Sequence, residues 1–383
     1  MRMLGKLITG AAVLATVTTL TAGVALADPP SGTTPKTTDV VGVGSNTTES
    51  LLDQLTLNYD SAHKTGTHIF SWDALENAAA TTSGNIATKS GCVAAPRPNG
   101  SSAGIAALAA NIKDPKSKSH FCLDFARSSR SEKSTDPTGL SFIPLALDNI
   151  SYASVTKNPK TPKGSNAPTN LSTHQLQEIY TCTVTKWSQV GGKSTATIKP
   201  LLPQPGSGTL ATFLADIGVT AFGKCVNEPN SLEENEGVDP IFTGANAANE
   251  IVPISAGKWL AQAYHSAACK SAKCGTDKSG VFTECKAPKK GQNKFGCDIN
   301  GVLKVNDINK TAPINGTGAK AILNPLYTRT FIRTLFDVVR TAKAKDGIPS
   351  YLDGFFGAKG FFCSKAEKSV IQAYGYEPTA SCG

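Results

Sequence analysis

Three short segments place glycine beside hydroxyl and amide side chains directly ahead of an apolar run: Gly44-Ser45-Asn46-Thr47, Asn99-Gly100-Ser101-Ser102 and Gly206-Ser207-Gly208-Thr209. After the last of these, Leu210, Phe213, Leu214 and Ile217 recur at i, i+3, i+4 and i+7, one face of an α-helix, and Gly218 stands where that helix would stop. Ser207 to Thr209 therefore lie at a helix N-terminus. There the first amides lack intrahelical partners and the macrodipole is positive, so the site suits an oxyanion, with the Ser207 and Thr209 hydroxyls as further donors. A lone capped turn that holds nothing is the alternative for any one segment. Three such openings, far apart in sequence, point to a shared anion if the fold brings them together.

The elements that would do so alternate strand and helix. "DVVGVGSNTTESLLDQL" reads as a buried strand, a glycine turn and a helix with Leu51, Leu52 and Leu55 inward, capped by Asn46 with Glu49 completing a capping box. "NGSSAGIAALAANI" repeats the device, "CLDFARSSRS" is a short strand ending at Ser128 and Ser129, and "SFIPLALDNISYASV" is extended. Ser172 and Gln175 stand in capping-box register ahead of Leu176, Ile179 and Tyr180. "EIVPISAGKWLAQAYHSAA" gives a strand then a helix, and "FGCDINGVLKVNDI" gives strands. "NPLYTRTFIRTLFDVVRTA" reads as a strand or turn leading into a helix, and "SKAEKSVIQAYGYEP" as a last amphipathic helix. This order indicates an α/β fold, in which ligands collect at the carboxyl ends of strands.

The chain has 383 residues and a formal charge of +9, with 17% charged residues. Residues 1–27 carry Arg2 and Lys6, an uncharged apolar run and Ala25-Leu26-Ala27, the pattern of a signal peptide cleaved near Ala27. Residues 28–37 follow as a flexible leader, and the product is expected to be secreted or held at the cell envelope. All ten cysteines follow residue 27, an even number that suits disulfides in an exported chain. Local pairs Cys92 with Cys122, Cys182 with Cys225, and Cys363 with Cys382 are plausible. Cys269, Cys274, Cys285 and Cys297, near His265, lack the tight C-x2-C spacing of zinc modules and read as disulfides as well. Lysines cluster in "KAPKKGQNK" without interleaved aromatics, so no nucleic-acid groove is expected. Neither a cofactor nor a metal is expected. Gly206-Ser207-Gly208 is not the G-x-S-x-G elbow, and none of the five histidines lies in a motif that would activate a serine, so an enzyme, a secreted hydrolase for example, is the less favoured class.

Taken in order, "GVGSNTTESLLDQL", "NGSSAGI", "DFARSSR", "LSTHQLQEIYTCTVTKWSQVGG" and "PQPGSGTLATFL" resemble the phosphate-binding component of bacterial ABC phosphate importers, a class II periplasmic-binding-protein family. The resemblance runs from about residue 38 to the end, is most specific between 171 and 214, and is poor over 269–320. It implies a two-lobed type II fold with a cleft between lobes. Lobe one would comprise 38–148 and 252–383, with a Cys-rich insert over 269–320, and lobe two 149–251. It implies a monomer that captures inorganic phosphate or a similar oxyanion and presents it to an ABC permease. The family's ligand positions fall on Ser45, Asn46, Thr47, Ser101, Ser207, Gly208 and Thr209.

Two positions depart from the family. Its cleft aspartate corresponds to Ser129, and its arginine-x-aspartate corresponds to Pro203, Gln204 and Pro205. The carboxylate accepts the proton of a protonated phosphate and the arginine pairs bidentately with the anion, so both devices are absent from their usual places. Arg127 and Arg130 either return positive charge to the site from the strand end, flanking Ser129, or are surface arginines. The replacements leave room for a more fully charged oxyanion, a phosphorylated metabolite, or a secreted interaction protein whose anion site is vestigial.

Overall fold

The computed structural model describes residues 28–29, 33–75, 84–110, 112–113, 115–116, 120–226, 232–237, 239–261, 263, 275–276, 282–283, 302–342 and 347–383. Val40–Gly44 forms β1, a fully buried strand of valine and glycine. Asn46–Ala62 forms α1, with Leu51, Leu52 and Leu55 buried as their spacing requires. Ile69–Ser71 is β2, Ser101–Ala109 is α2, and Phe125–Ser128 is β3. The extended run becomes β4, a 16-residue strand over Leu140–Val155. Thr173–Tyr180 is α3, Lys199–Pro200 is β5, and Gly208–Asp216 is α4. Glu250–Ser255 is β6 and leads directly into α5, Ala256–Leu260. Leu303–Val305 is β7, Ile332–Arg340 is β8, Ser350–Phe356 is α6, Lys365–Ala373 is α7, and Glu377–Pro378 is β9.

Among the described residues these strands form one mixed sheet in the order β2-β1-β3-β8-β4-β6-β5, with β7 and β9 also paired to β4. β1 runs parallel to β2 and β3, whereas β8 is antiparallel to both β3 and β4. The length of β4 ties the two halves together. Its Leu140–Asn149 stretch pairs with β8, and its Ile150–Ala153 stretch pairs with β6.

Two features differ from the sequence reading. Residues 332–340 are strand rather than helix, because the alternation of buried Arg333, Leu335 and Asp337 with half-buried Thr334 and Phe336 is a period of two. The cap of α1 is Ser45, whose hydroxyl accepts from the Thr47 amide at 3.2 Å, and Glu49 turns away to accept from the Ala74 amide at 2.6 Å. Asn46 is thus the first helical residue. The capping box of Ser172 and Gln175 is present on α3, and Ser364 caps α7.

The apolar core divides at the crossing strands. One cluster joins Val40, Leu51, Leu55 and Phe125 to Leu145, Ala146, Leu335, Leu352 and Tyr376. A second joins Ile150 and Tyr152 to Leu176, Trp187, Phe213, Ile251, Ile308 and Phe331, and a third joins Ala153 and Leu201 to Val252, Trp259 and Leu303. Packing therefore parts between Ala146 and Ile150 and again between Phe331 and Leu335. The described residues from 252 to 331 in these clusters pack with the 150–251 side, while Gly257 and Lys258 also reach Asp148 and Asn46.

Disulfides join Cys92 to Cys122, Cys182 to Cys225, and Cys363 to Cys382. The expected signal peptide, the Cys269, Cys274, Cys285 and Cys297 cluster with His265, and the lysine-rich 286–294 run lie outside the described residues. Among the described residues no helix is long and apolar enough to cross a membrane, and no group of three or more potential metal ligands occurs.

Close approach of α2 to β1 requires glycine at 104, where a Cβ would lie 2.6 Å from the Gly44 Cα. Gly104→Ala is expected to lower stability by about 1–3 kcal/mol through this overpacking. A denaturant-unfolding midpoint unchanged from wild type would contradict that packing.

Candidate functional site

The three helix openings meet. Ser129, at the end of β3, is the hub: its hydroxyl accepts from the Ser45 hydroxyl at 3.0 Å and lies 3.2 Å from the Ser101 hydroxyl, while its amide donates to Ser101 Oγ at 3.0 Å. Gly208 closes the group from the other side, since a Cβ there would stand 2.2 Å from Ser129 Oγ and 2.4 Å from Ser101 Oγ. Only glycine allows α4 to begin so near the other two helices. Thr47 Oγ1 and Thr209 Oγ1 are 3.4 Å apart, so the N-termini of α1 and α4 face one another. Ser45, Thr47, Ser101, Ser129, Ser207 and Thr209 are all buried. Ser207 caps its own helix, accepting from the Leu210 amide at 3.1 Å.

The remaining candidates are placed elsewhere. The Asn46 side chain and carbonyl both accept from the Lys258 ammonium, at 2.8 and 2.6 Å. Arg127 lies behind the site: its guanidinium donates to the carbonyls of Ser45, Trp72 and Gly44 and to Ser71 Oγ, and stands 3.8 Å from Glu49 Oε2. It is a buried brace for the β1–α1 turn. Arg130 pairs with Asp136 at 2.7 Å and donates to Ser102 Oγ at 3.0 Å. Neither is a surface arginine, since both are buried, and carbonyl and carboxylate acceptors hold each guanidinium.

Three residues missed in the sequence complete the site. Arg333 on β8 donates through Nη1 to Thr209 Oγ1 and to the Ser129 carbonyl, both at 3.0 Å, and pairs with Asp148 Oδ2 at 2.7 Å. Asp148 is its cross-strand partner on β4, and its other oxygen accepts from the Gly257 amide at 2.9 Å. Glu234 supplies the occupant of the recess. Its Oε1 accepts from the Thr209 amide at 2.7 Å, the Thr47 hydroxyl at 3.0 Å and the Ser129 hydroxyl at 3.5 Å. The Pro203-Gln204-Pro205 segment contributes indirectly, because Gln204 Nε2 donates to Asn99 Oδ1 and Asn99 Nδ2 donates to Glu233. The signal for Glu234 was the acidic stretch Glu233-Glu234-Asn235-Glu236 in a basic chain, and for Arg333 the two-residue period of β8.

This arrangement can hold a small anion. Backbone and hydroxyl donors converge on one point, the positive ends of α1, α2 and α4 surround it, and a buried guanidinium stands behind Thr209.

A model of the PBP superfamily domain matches residues 29–328. The chain belongs to that superfamily. Among solved structures, an ABC-type phosphate transport receptor from Vibrio cholerae is 18% identical with a TM-score of 0.50, covering 89% of this chain and 100% of that chain. A putative phosphate ABC transporter substrate-binding protein with bound phosphate from Clostridium perfringens is 14% identical with a TM-score of 0.51, covering 89% and 99%. No curated protein matches significantly. At these identities the likeness is one of fold: the two-lobed α/β architecture of periplasmic binding proteins.

Ionisable groups are also buried elsewhere in the fold. Burial raises Asp216, Glu233 and Glu250 to about 7, and Asp337 to about 8 against the opposing pull of Arg127. Burial lowers the Lys258 ammonium, which the carboxylates of Glu49 and Glu234 oppose. Each of the four carboxyls binds its proton more tightly in the fold than in the unfolded chain, where it titrates near about 4. Their contribution is therefore full below pH ~4 and lost as pH rises through 7 to 8. The melting temperature is expected to fall between pH 5 and 9, and Asp337→Asn to flatten part of that decline. A melting temperature constant or rising over this range would contradict the burial of these groups.

Proposed function

We propose that this protein is a secreted solute-binding protein that captures inorganic phosphate or a related tetrahedral oxyanion between its two lobes. The observation that carries this reading is the convergence of the Thr209 amide and the Thr47 and Ser129 hydroxyls on a single carboxylate oxygen of Glu234. A site that gathers donors from three elements around a buried negative oxygen is built for an anion, whichever anion occupies it. Arg333 supplies the fixed positive charge that the family places in the segment now occupied by Pro203 and Pro205. Its guanidinium orients Thr209 Oγ1 as well as adding charge.

Capture needs no chemistry, so the chain acts as a receptor and not as an enzyme. Donors contributed by both lobes favour the closed form when an anion is bound, and only that differential affinity drives closure. Presentation of the closed form to an ABC permease, as the family resemblance implies, would make it the receptor of an importer. A second reading, a secreted interaction protein with a vestigial site, is favoured by one observation: the recess holds a carboxylate of the chain itself.

Titration calorimetry of the mature protein with phosphate, arsenate and sulfate tests the first reading. Saturable binding of at least one of them is expected. In a Glu234→Ala background, where the hydroxyl serves only the free anion, Thr47→Val should weaken it by at least ~10-fold, since a hydrogen bond to a charged group is worth about 1.5–3 kcal/mol. No binding of any of the three at millimolar concentration, in wild type or in variants of the recess, would select the second reading.

A further inference from the structure

Residues 232–235 reach into the anion site as a unit. Leu232 is buried in the core beside Ala153 and Phe242, and its carbonyl accepts from the Gln204 amide at 2.9 Å. Glu233 Oε2 accepts from Asn99, just ahead of α2, at 2.8 Å. Glu234 Oε1 takes the three donors of the recess. Asn235 donates to Thr47 Oγ1 at 3.2 Å and accepts from the Ser255 amide at 2.8 Å. Asn235 adopts a left-handed backbone, φ 64°, which asparagine tolerates better than most residues. In an extended chain successive side chains point to opposite faces, so this turn is what brings both Glu234 and Asn235 to the same threonine hydroxyl.

The fit of Glu234 is incomplete. It is 1% exposed, yet among the described residues its Oε2 has no hydrogen-bond partner. A carboxylate has two oxygens where a tetrahedral oxyanion has four. The Ser45 and Ser101 hydroxyls pair with Ser129 and not with Glu234, and one of the carboxylate's own acceptors is buried without compensation. The geometry points to Glu234 as a tethered competitor: the chain's own carboxylate occupies the oxyanion position, and a free oxyanion binds only when the 232–235 segment withdraws. This rests on the proposed function. Because the carboxylate belongs to the same chain, it competes at a high effective concentration, and the apparent affinity for a free anion falls by the fraction of molecules in which the recess is vacated. Such a receptor would respond to anion at higher concentration than the same cleft without the glutamate.

Calorimetric titration with inorganic phosphate of wild type, Glu234→Ala and Glu234→Gln tests this, with thermal melts checking that each variant is folded. Glu234→Ala is expected to bind phosphate at least ~10-fold more tightly than wild type, and Glu234→Gln, which keeps the shape and removes the charge, to fall between the two. Equal affinities in wild type and both variants would overturn the tethered competitor while leaving the receptor reading intact. Weaker binding by Glu234→Ala would also overturn it, making Glu234 a partner of a protonated anion instead of its rival. Binding by none of the three would overturn both the competitor and the receptor reading.

Discussion

Buried hydrogen-bond donors require an acceptor, and in this molecule the N-termini of three helices bring theirs to one place. Helices α1, α2 and α4 all start beside Ser129, and the approach is so tight that Gly208 has no room for a Cβ. Amides at these ends cannot be satisfied within their own helices, and water is excluded from a recess whose side chains are almost wholly buried. The rest of the cleft follows from that constraint. Ser45, Ser207 and the Gly206 carbonyl accept from some of these amides, and Glu234 accepts from the Thr209 amide and from the Thr47 and Ser129 hydroxyls.

The surrounding charges are arranged so that this negative group is tolerated. Arg333 reaches the recess from β8 and is itself held by Asp148, which sits opposite it on β4. A buried pair of this kind is only weak evidence for stability, since desolvation offsets much of its attraction. Its value here is positional: two strands that cross between the lobes fix a guanidinium beside Thr209. Lys258 makes a comparable link from α5 to the first turn of α1 through Asn46.

Much of this was legible in the sequence where local chemistry decides the structure. Glycine-hydroxyl turns ahead of apolar 3.6-residue periodicity located the starts of α2 and α4, and the alternating elements indicated an α/β fold. What was not legible depended on long-range choices. Whether Arg127 points into the cleft or behind it turns on the carbonyls of Ser45 and Trp72, which no spacing along the chain reveals. Glu234 lies in an irregular stretch with no period to read, and its role appears only when residues 25 and 187 positions away are brought beside it. The capping of α1 by Ser45 in place of Asn46 has the same origin: Glu49 is drawn off by the Ala74 amide, so the expected capping box never closes.

A crystal structure of the protein grown with saturating phosphate tests the central claim most directly. The account predicts tetrahedral density bounded by Thr47 Oγ1, the Thr209 amide and Ser129 Oγ, with the Glu234 carboxylate displaced from the recess. Glu234 still accepting from the Thr209 amide, with phosphate bound elsewhere or not at all, would contradict it.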